Sequence, residues 1–166
     1  MKAFKYVGPE EIRARSSAAT RGTPIGSCAA IVDWLSKHAA AEDGWATYVV
    51  SRGGVLLVAP RRSEHVACAG GEPVLAAGEI CFSTNGAVVA ITNNSTGYCP
   101  SEGCWEPVRS ALDRAELPRP EGFTFVATFR RCPRCGERNL VKEDWYVCAI
   151  CDADLPSEWN LDWEDV

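Results

Sequence analysis

Four cysteines near the C-terminal end, Cys132-Pro133-Arg134-Cys135 and Cys148-Ala149-Ile150-Cys151, constrain this chain more than any other stretch. A Cys-x-x-Cys turn aims two sulfurs at one point, and two such turns facing each other complete a tetrahedral sulfur cage. The twelve residues between the pairs leave room for one strand out and one strand back. Zn²⁺ suits such a cage, and with protein filling all four positions none is left for water or substrate, so a structural role is expected. The metal would replace a core that so short a segment cannot build. Disulfides, or a redox-active Cys-x-x-Cys at a helix start, are the competing uses of paired cysteines. Nothing around either pair suggests the thioredoxin-like context of the redox motif.

The Cys-Pro-x-Cys-Gly run at 132–136, and the aromatic Trp145-Tyr146-Val147 leading into the second pair, resemble the zinc-ribbon family over residues 129–155. The resemblance implies a metal-supported hairpin with Cys132, Cys135, Cys148 and Cys151 as ligands. It implies no activity, because zinc ribbons serve enzymes, nucleic-acid binders and protein adaptors alike.

The chain has 166 residues, 46% of them hydrophobic, which suits one compact domain with a small appendage. We expect an α+β domain over 1–128, the ribbon over 129–155 and an acidic, tryptophan-bearing tail over 156–166. No apolar run approaches the roughly 20 residues of a membrane helix. The start, Met1-Lys2-Ala3-Phe4-Lys5-Tyr6, leads into Pro9-Glu10-Glu11 and does not read as a secretory signal. Nine cysteines, four of them placed for metal, favour a reducing compartment, so a cytoplasmic location is expected.

The net charge of −5 is unevenly spread. Arg130–Lys142 carries five basic residues and one acid, whereas Glu143–Val166 carries eight acids and no base. A phosphate-tracking surface does not usually sit beside so many uncompensated carboxylates, which argues against nucleic acid as the partner.

In chain order, Ala3–Val7 reads as an edge strand and Ser16–Ser27 as a loop or linker. Ser27 caps a helix expected to reach about Ala41, with Ile31, Leu35 and His38 or Ala39 on one stripe. Trp45–Val50 and Val55–Ala59 flank Ser51-Arg52-Gly53-Gly54, a hairpin signal; Glu79–Phe82 and Ala87–Thr92 flank Ser83-Thr84-Asn85-Gly86, another. A second helix follows, with Pro107 in its first turn and Trp105, Val108, Leu112 and Ala115 as its apolar stripe. Phe123–Phe129 reads as a strand feeding the ribbon. About six strands in antiparallel hairpins, two main helices and no βαβ alternation give the α+β class, mostly antiparallel.

Two loops carry the remaining chemistry. Asn93-Asn94-Ser95-Thr96-Gly97-Tyr98-Cys99-Pro100 falls between a strand end and a helix start, where small residues expose backbone N–H groups able to hold a phosphate or carboxylate. The competing account is an ordinary turn with Tyr98 packed over it. Arg61-Arg62-Ser63-Glu64-His65 offers cations and a proton shuttle. If the two loops meet, Arg62, Asn94, Ser95 and Thr96 are candidate ligand-binding residues, and His65, Tyr98 and Cys99 candidate catalytic ones, with His65 and Cys99 as a base–nucleophile pair. Cys28 and Cys81 read as small core residues. Cys99 and Cys104 lack further His or Cys to complete a metal shell.

The run Arg62–Pro100 also loosely resembles a β-hairpin module of bacterial effector-type proteins, in which the turn reads nearer Ser-Gly-His-Tyr-x-Pro. Here Thr96-Gly97 replaces Gly-His, so no role of that histidine carries over. A faint similarity of Ser95-Thr96 and the upstream Arg-Ser to ADP-ribosyltransferases lacks the family's Glu-x-Glu pair. In the tail, Trp159 and Trp163 are four apart and would share one face of a helix; the segment reads as docking its indoles on the ribbon or the domain, the competing account being an aromatic–acidic recognition peptide.

Weighing these, the expected function is a binding or adaptor protein with structural zinc, recognising a protein or an anionic partner. The alternative is an enzyme acting on an anionic or nucleotide-like small molecule through the 61–68 and 93–100 loops.

Overall fold

A computed structural model describes residues 1–38 and 43–166. The elements in chain order are β1 (Lys2–Phe4), α1 (Glu10–Arg13), a 3₁₀ turn (Ala18–Thr20), β2 (Thr23–Ile25), α2 (Cys28–His38), β3 (Trp45–Ser51), β4 (Leu56–Pro60) and α3 (His65–Cys68). They continue with β5 (Val74–Phe82), β6 (Val88–Ile91), α4 (Trp105–Arg114), β7 (Thr128–Arg131), β8 (Arg138–Val141) and β9 (Trp163–Asp165). The fold is α+β: one mostly antiparallel sheet with two main helices, and a separate β7–β8 hairpin.

The main sheet runs β2-β4-β3-β5-β1-β9. The central strands β3 and β5 pair from Trp45↔Cys81 to Ser51↔Val74. The outer edge of β5 is shared, β1 taking Val74 and β6 taking Ile80–Phe82. Tyr48, Val49, Val50, Leu56, Val58, Ala76, Ala77 and Ile80 form the buried centre. The continuous apolar character of β3 to β5 follows from cover on both faces. Ser27 caps α2 by accepting the Ala30 N–H at 3.1 Å, and Ile31, Trp34 and Leu35 turn inward. In α4 the buried stripe is Pro107, Val108, Ala111 and Leu112, while Trp105 meets Phe123 edge-on at 5.0 Å.

Both predicted hairpin turns form, and they share one design. The Ser51 N–H donates to Val55 O and the Gly54 N–H to Ser51 O; the Ser83 N–H donates to Ala87 O and the Gly86 N–H to Ser83 O. Each serine Oγ also accepts the N–H four residues on. Only the final glycine is left-handed, at φ 75° for Gly54 and 87° for Gly86. The loop is therefore a type I turn closed by a glycine bulge, rather than a two-residue turn with Asn85 also at positive φ.

Elsewhere the strand boundaries differ from expectation. Ser16–Ser27 is not a linker: Ser17 and Thr20 form a capping box, and β2 pairs with β4 through Thr23↔Val58 and Ile25↔Leu56. Pro24 is tolerated because β2 is an edge. Phe123–Ala127 is not a strand; Phe125 makes a single parallel bridge to Thr92, and β7 begins at Thr128. The tail is not helical either, since β9 pairs with β1 from Lys2↔Asp165 to Phe4↔Trp163. The expected end of α2 near Ala41 lies outside the described residues.

Candidate metal centre and its surroundings

The four cysteine sulfurs Cys132, Cys135, Cys148 and Cys151 all lie within 4.8 Å of one another. The Cys132–Cys151 and Cys135–Cys148 separations are both 3.6 Å, far beyond a disulfide bond. A tetrahedron with metal–sulfur bonds of about 2.3 Å has edges of about 3.8 Å, so the cage is sized for a metal ion.

Two copies of one local structure build it. In the first knuckle the Cys132 N–H donates to Glu137 O and the Gly136 N–H to Cys132 O; in the second the Cys148 N–H donates to Ala153 O and the Asp152 N–H to Cys148 O. The residue four after the leading cysteine is left-handed in both, Gly136 at φ 78° and Asp152 at 58°. Asn139 of β8 locks the second knuckle: its Oδ1 accepts the Ala149 N–H at 2.9 Å, and its Nδ2 donates to Cys148 Sγ at 3.5 Å and to Glu137 O at 3.1 Å.

These donors tune the sulfurs. Burial works against a Cys148 thiolate, but the Ile150 and Cys151 N–H groups and the Asn139 amide outweigh it and bring the pKa down to about 6. The Cys135 N–H does the same for Cys132, whose pKa is lowered. The Cys148 sulfur is thus favoured as the thiolate, the form that binds metal, whereas burial and hydrogen bonding with the neighbouring sulfurs raise the Cys135 and Cys151 thiols. The apolar support is slight: Cys132, Cys148 and Leu155 are buried, with Val141, Tyr146 and Ala153 partly so.

The hairpin is fastened to the main sheet by side chains of which sequence reading anticipated only the docking of a tail tryptophan. Buried Asn93 holds Ala127 from both sides, Nδ2 to Ala127 O at 2.8 Å and Oδ1 from the Ala127 N–H at 2.6 Å. Asn160 does the same at Arg131, with both bonds at 2.8 Å. Between them the Arg130 guanidinium, 4% exposed, donates to Phe129 O, Pro156 O, Ser157 O and the Glu102 carboxylate. Trp159 Nε1 donates to Cys99 O at 2.9 Å, and its ring meets Phe4 edge-on. The basic stretch therefore does not form one open face: Arg130 is buried, Arg131 pairs with Asp162, and Arg138 donates to Thr96 O at 2.8 Å. No local signal would have paired Asn93 with Ala127, Asn160 with Arg131 or Arg130 with Glu102, because these partners lie 34, 29 and 28 positions apart.

Most of the other predicted site residues are engaged with backbone partners of their own. His65 Nε2 donates to Gly78 O at 3.0 Å, which fixes the neutral tautomer, and burial lowers its pKa. Tyr98 is fully buried, its hydroxyl on Glu72 O at 2.6 Å and its ring edge-on to Tyr6. Burial pushes the Cys99 thiol up to about 11, so at neutral pH it is not a nucleophile. Ser95 is buried and caps the Tyr98 N–H, Thr96 and Arg62 are exposed, and Asn94 is half-buried with its Oδ1 unpartnered. The largest cleft described, about 600 Å³, is lined instead by Arg52, Leu75, Pro107, Arg114 and neighbours.

His65 makes a pH prediction. Its folded pKa lies below the unfolded value, so its contribution is intact above about pH 6.5 and is lost as pH falls through the folded pKa. Thermal denaturation of the wild type between pH 7.5 and 5 should show a larger loss of Tm than His65→Gln. Equal losses would remove His65 from the account.

No protein-family model matches the chain, and comparison with curated proteins and with solved structures likewise finds no match. Among the described residues, no helix is long and apolar enough to cross a membrane.

Proposed function

We propose that the chain is a binding or adaptor protein in which a zinc ribbon, residues 129–155, presents a recognition surface from a rigid base. In this reading an α+β domain spans 1–128, and residues 156–166 are a tail that ties the two together. Zinc is the ion we assign, because four thiolates in a tetrahedron favour it over oxygen-seeking cations. All four positions come from protein, so the metal supports structure and takes no substrate. A cytoplasmic setting agrees with nine free cysteines.

The observation that carries the proposal is the exposure of Trp145 and Ile150, 70% and 69%, on a hairpin whose other large apolar side chains are buried or partly buried. Indole and isoleucine left in water on a rigid element are the usual marks of a protein-binding surface. The enzyme alternative has less behind it, since Tyr98 and Cys99 are sealed and committed to backbone partners. Elemental analysis should find one zinc per chain. The double variant Trp145→Ala/Ile150→Ala should keep that zinc and the wild-type Tm while losing the proteins that immobilised wild type retains. A retained set identical for both would overturn the reading.

A further inference from the structure

We infer that metal occupancy of the cysteine cage controls the Cys99 end of the 93–99 loop, keeping it shut and the Cys99 side chain out of reach. The inference rests on the metal-bound reading of the cage and extends it from support of one hairpin to control of a second element.

The middle of the loop belongs to the main domain, where the Val7 N–H donates to Gly97 O and the buried Tyr98 hydroxyl to Glu72 O; three further clamps reach its two ends and Thr96 from on or beside the hairpin. At its start, Asn93 is bound through both amide atoms to Ala127, immediately before β7. At Thr96, Arg138 of β8 donates to the backbone O at 2.8 Å. At its end, Trp159 Nε1 holds Cys99 O; Trp159 itself follows Pro156 and Ser157, whose carbonyls are gripped by Arg130 of β7. The Cys99 side chain lies in a small cluster with Ala127, Phe129 and Leu161, bordered by Leu140. Phe129 and Leu140 are directly paired across the hairpin.

The backbone at Cys99 is not held by its own preference. Cys99 sits at φ 45°, a left-handed conformation that costs a non-glycine residue free energy and persists only where its surroundings impose it. The hairpin, in turn, has too little buried apolar surface to stay ordered without the ion. Losing the metal therefore removes Arg138, Phe129 and Leu140 together, and the backbone at Cys99 relaxes while Tyr98 stays in the main core. Cys68 and Cys104 belong to the main core and have no such dependence.

The test uses the full chain loaded with Zn²⁺. Alkylation of each cysteine by N-ethylmaleimide is mapped by peptide mass spectrometry before and after stripping with a chelator, and released zinc is measured with a colorimetric indicator. Cys99 should react about a hundredfold faster once the metal is gone, while Cys68 and Cys104 stay protected. With zinc retained, Arg138→Ala should by itself accelerate Cys99 about tenfold, as expected for one charge-assisted hydrogen bond. Zinc released with the Cys99 rate unchanged overturns the inference and leaves the cage reading standing. Acceleration of Cys68 and Cys104 in step with Cys99 also overturns it, since the whole chain then opens. A chain that never holds zinc overturns both.

Discussion

Cys148→Ser is expected to abolish metal binding and to unfold the hairpin over residues 128–155 while the main sheet survives. Serine offers a weak oxygen ligand in place of a thiolate that three donors stabilise. The loss is large because structural zinc contributes about 10–16 kcal/mol in isolated small metal-binding units, far above what Cys132, Cys148 and Leu155 bury. The main core, from Phe4 through Tyr48, Ile80 and Leu112, does not include the hairpin. Amide hydrogen exchange should therefore show protection lost for β7 and β8 and kept for β3 and β5. Half-exposed Cys28, which packs on the rim of the main core and whose sulfur meets Asn85 O, serves as control, and Cys28→Ser should leave the metal content at the wild-type value. A Cys148→Ser protein that retained stoichiometric metal, or kept its hairpin protected without it, would contradict the assignment.

Arg130→Ala should cost about 3 kcal/mol in urea denaturation. Breaking a buried charge pair typically costs 3–5 kcal/mol, and the value is placed at the lower end because Glu102 keeps 32% of its side chain in water. The carbonyls of Phe129, Pro156 and Ser157 would lose their donor at the same stroke. Arg130→Lys should recover less than half of the loss, because an ammonium cannot span carbonyls and carboxylate as the planar fork does. A change below about 0.5 kcal/mol for the alanine variant would show that water replaces the guanidinium at no cost, and that the joint is not held there.

What could be read from the sequence divides along the range of the interaction. The two long hairpins were legible because a serine, a glycine and alternating β-formers all fall within a dozen residues. α2 and α4 were legible because Ser27 and Pro107 mark their starts and one apolar stripe runs through each. The cysteine cage was legible for the same reason, its spacing being a local signature. The three-residue strands β2 and β9 were not, and β1, read as an edge strand over Ala3–Val7, lies instead between β5 and β9, since such pairing joins segments as far apart as Lys2 and Asp165 and carries no periodicity of its own. The polar loops misled in the other direction. His65, Ser95 and Tyr98 look reactive as letters, yet each has its hydrogen-bonding group occupied by the backbone, and only the fold reveals the partner.

The amide grips of Asn93 and Asn160, with the Arg130 donation to Phe129 O between them, fall on Ala127, Phe129 and Arg131, alternate residues on the side of β7 that faces away from β8. A two-stranded unit ordinarily leaves that margin open to any passing extended segment, the first step of amyloid-like stacking. Here three side chains occupy the places such a segment would take. The chain thereby escapes self-templated growth along β7 without adding a third strand, and a visitor seeking to extend the hairpin is turned away from that flank.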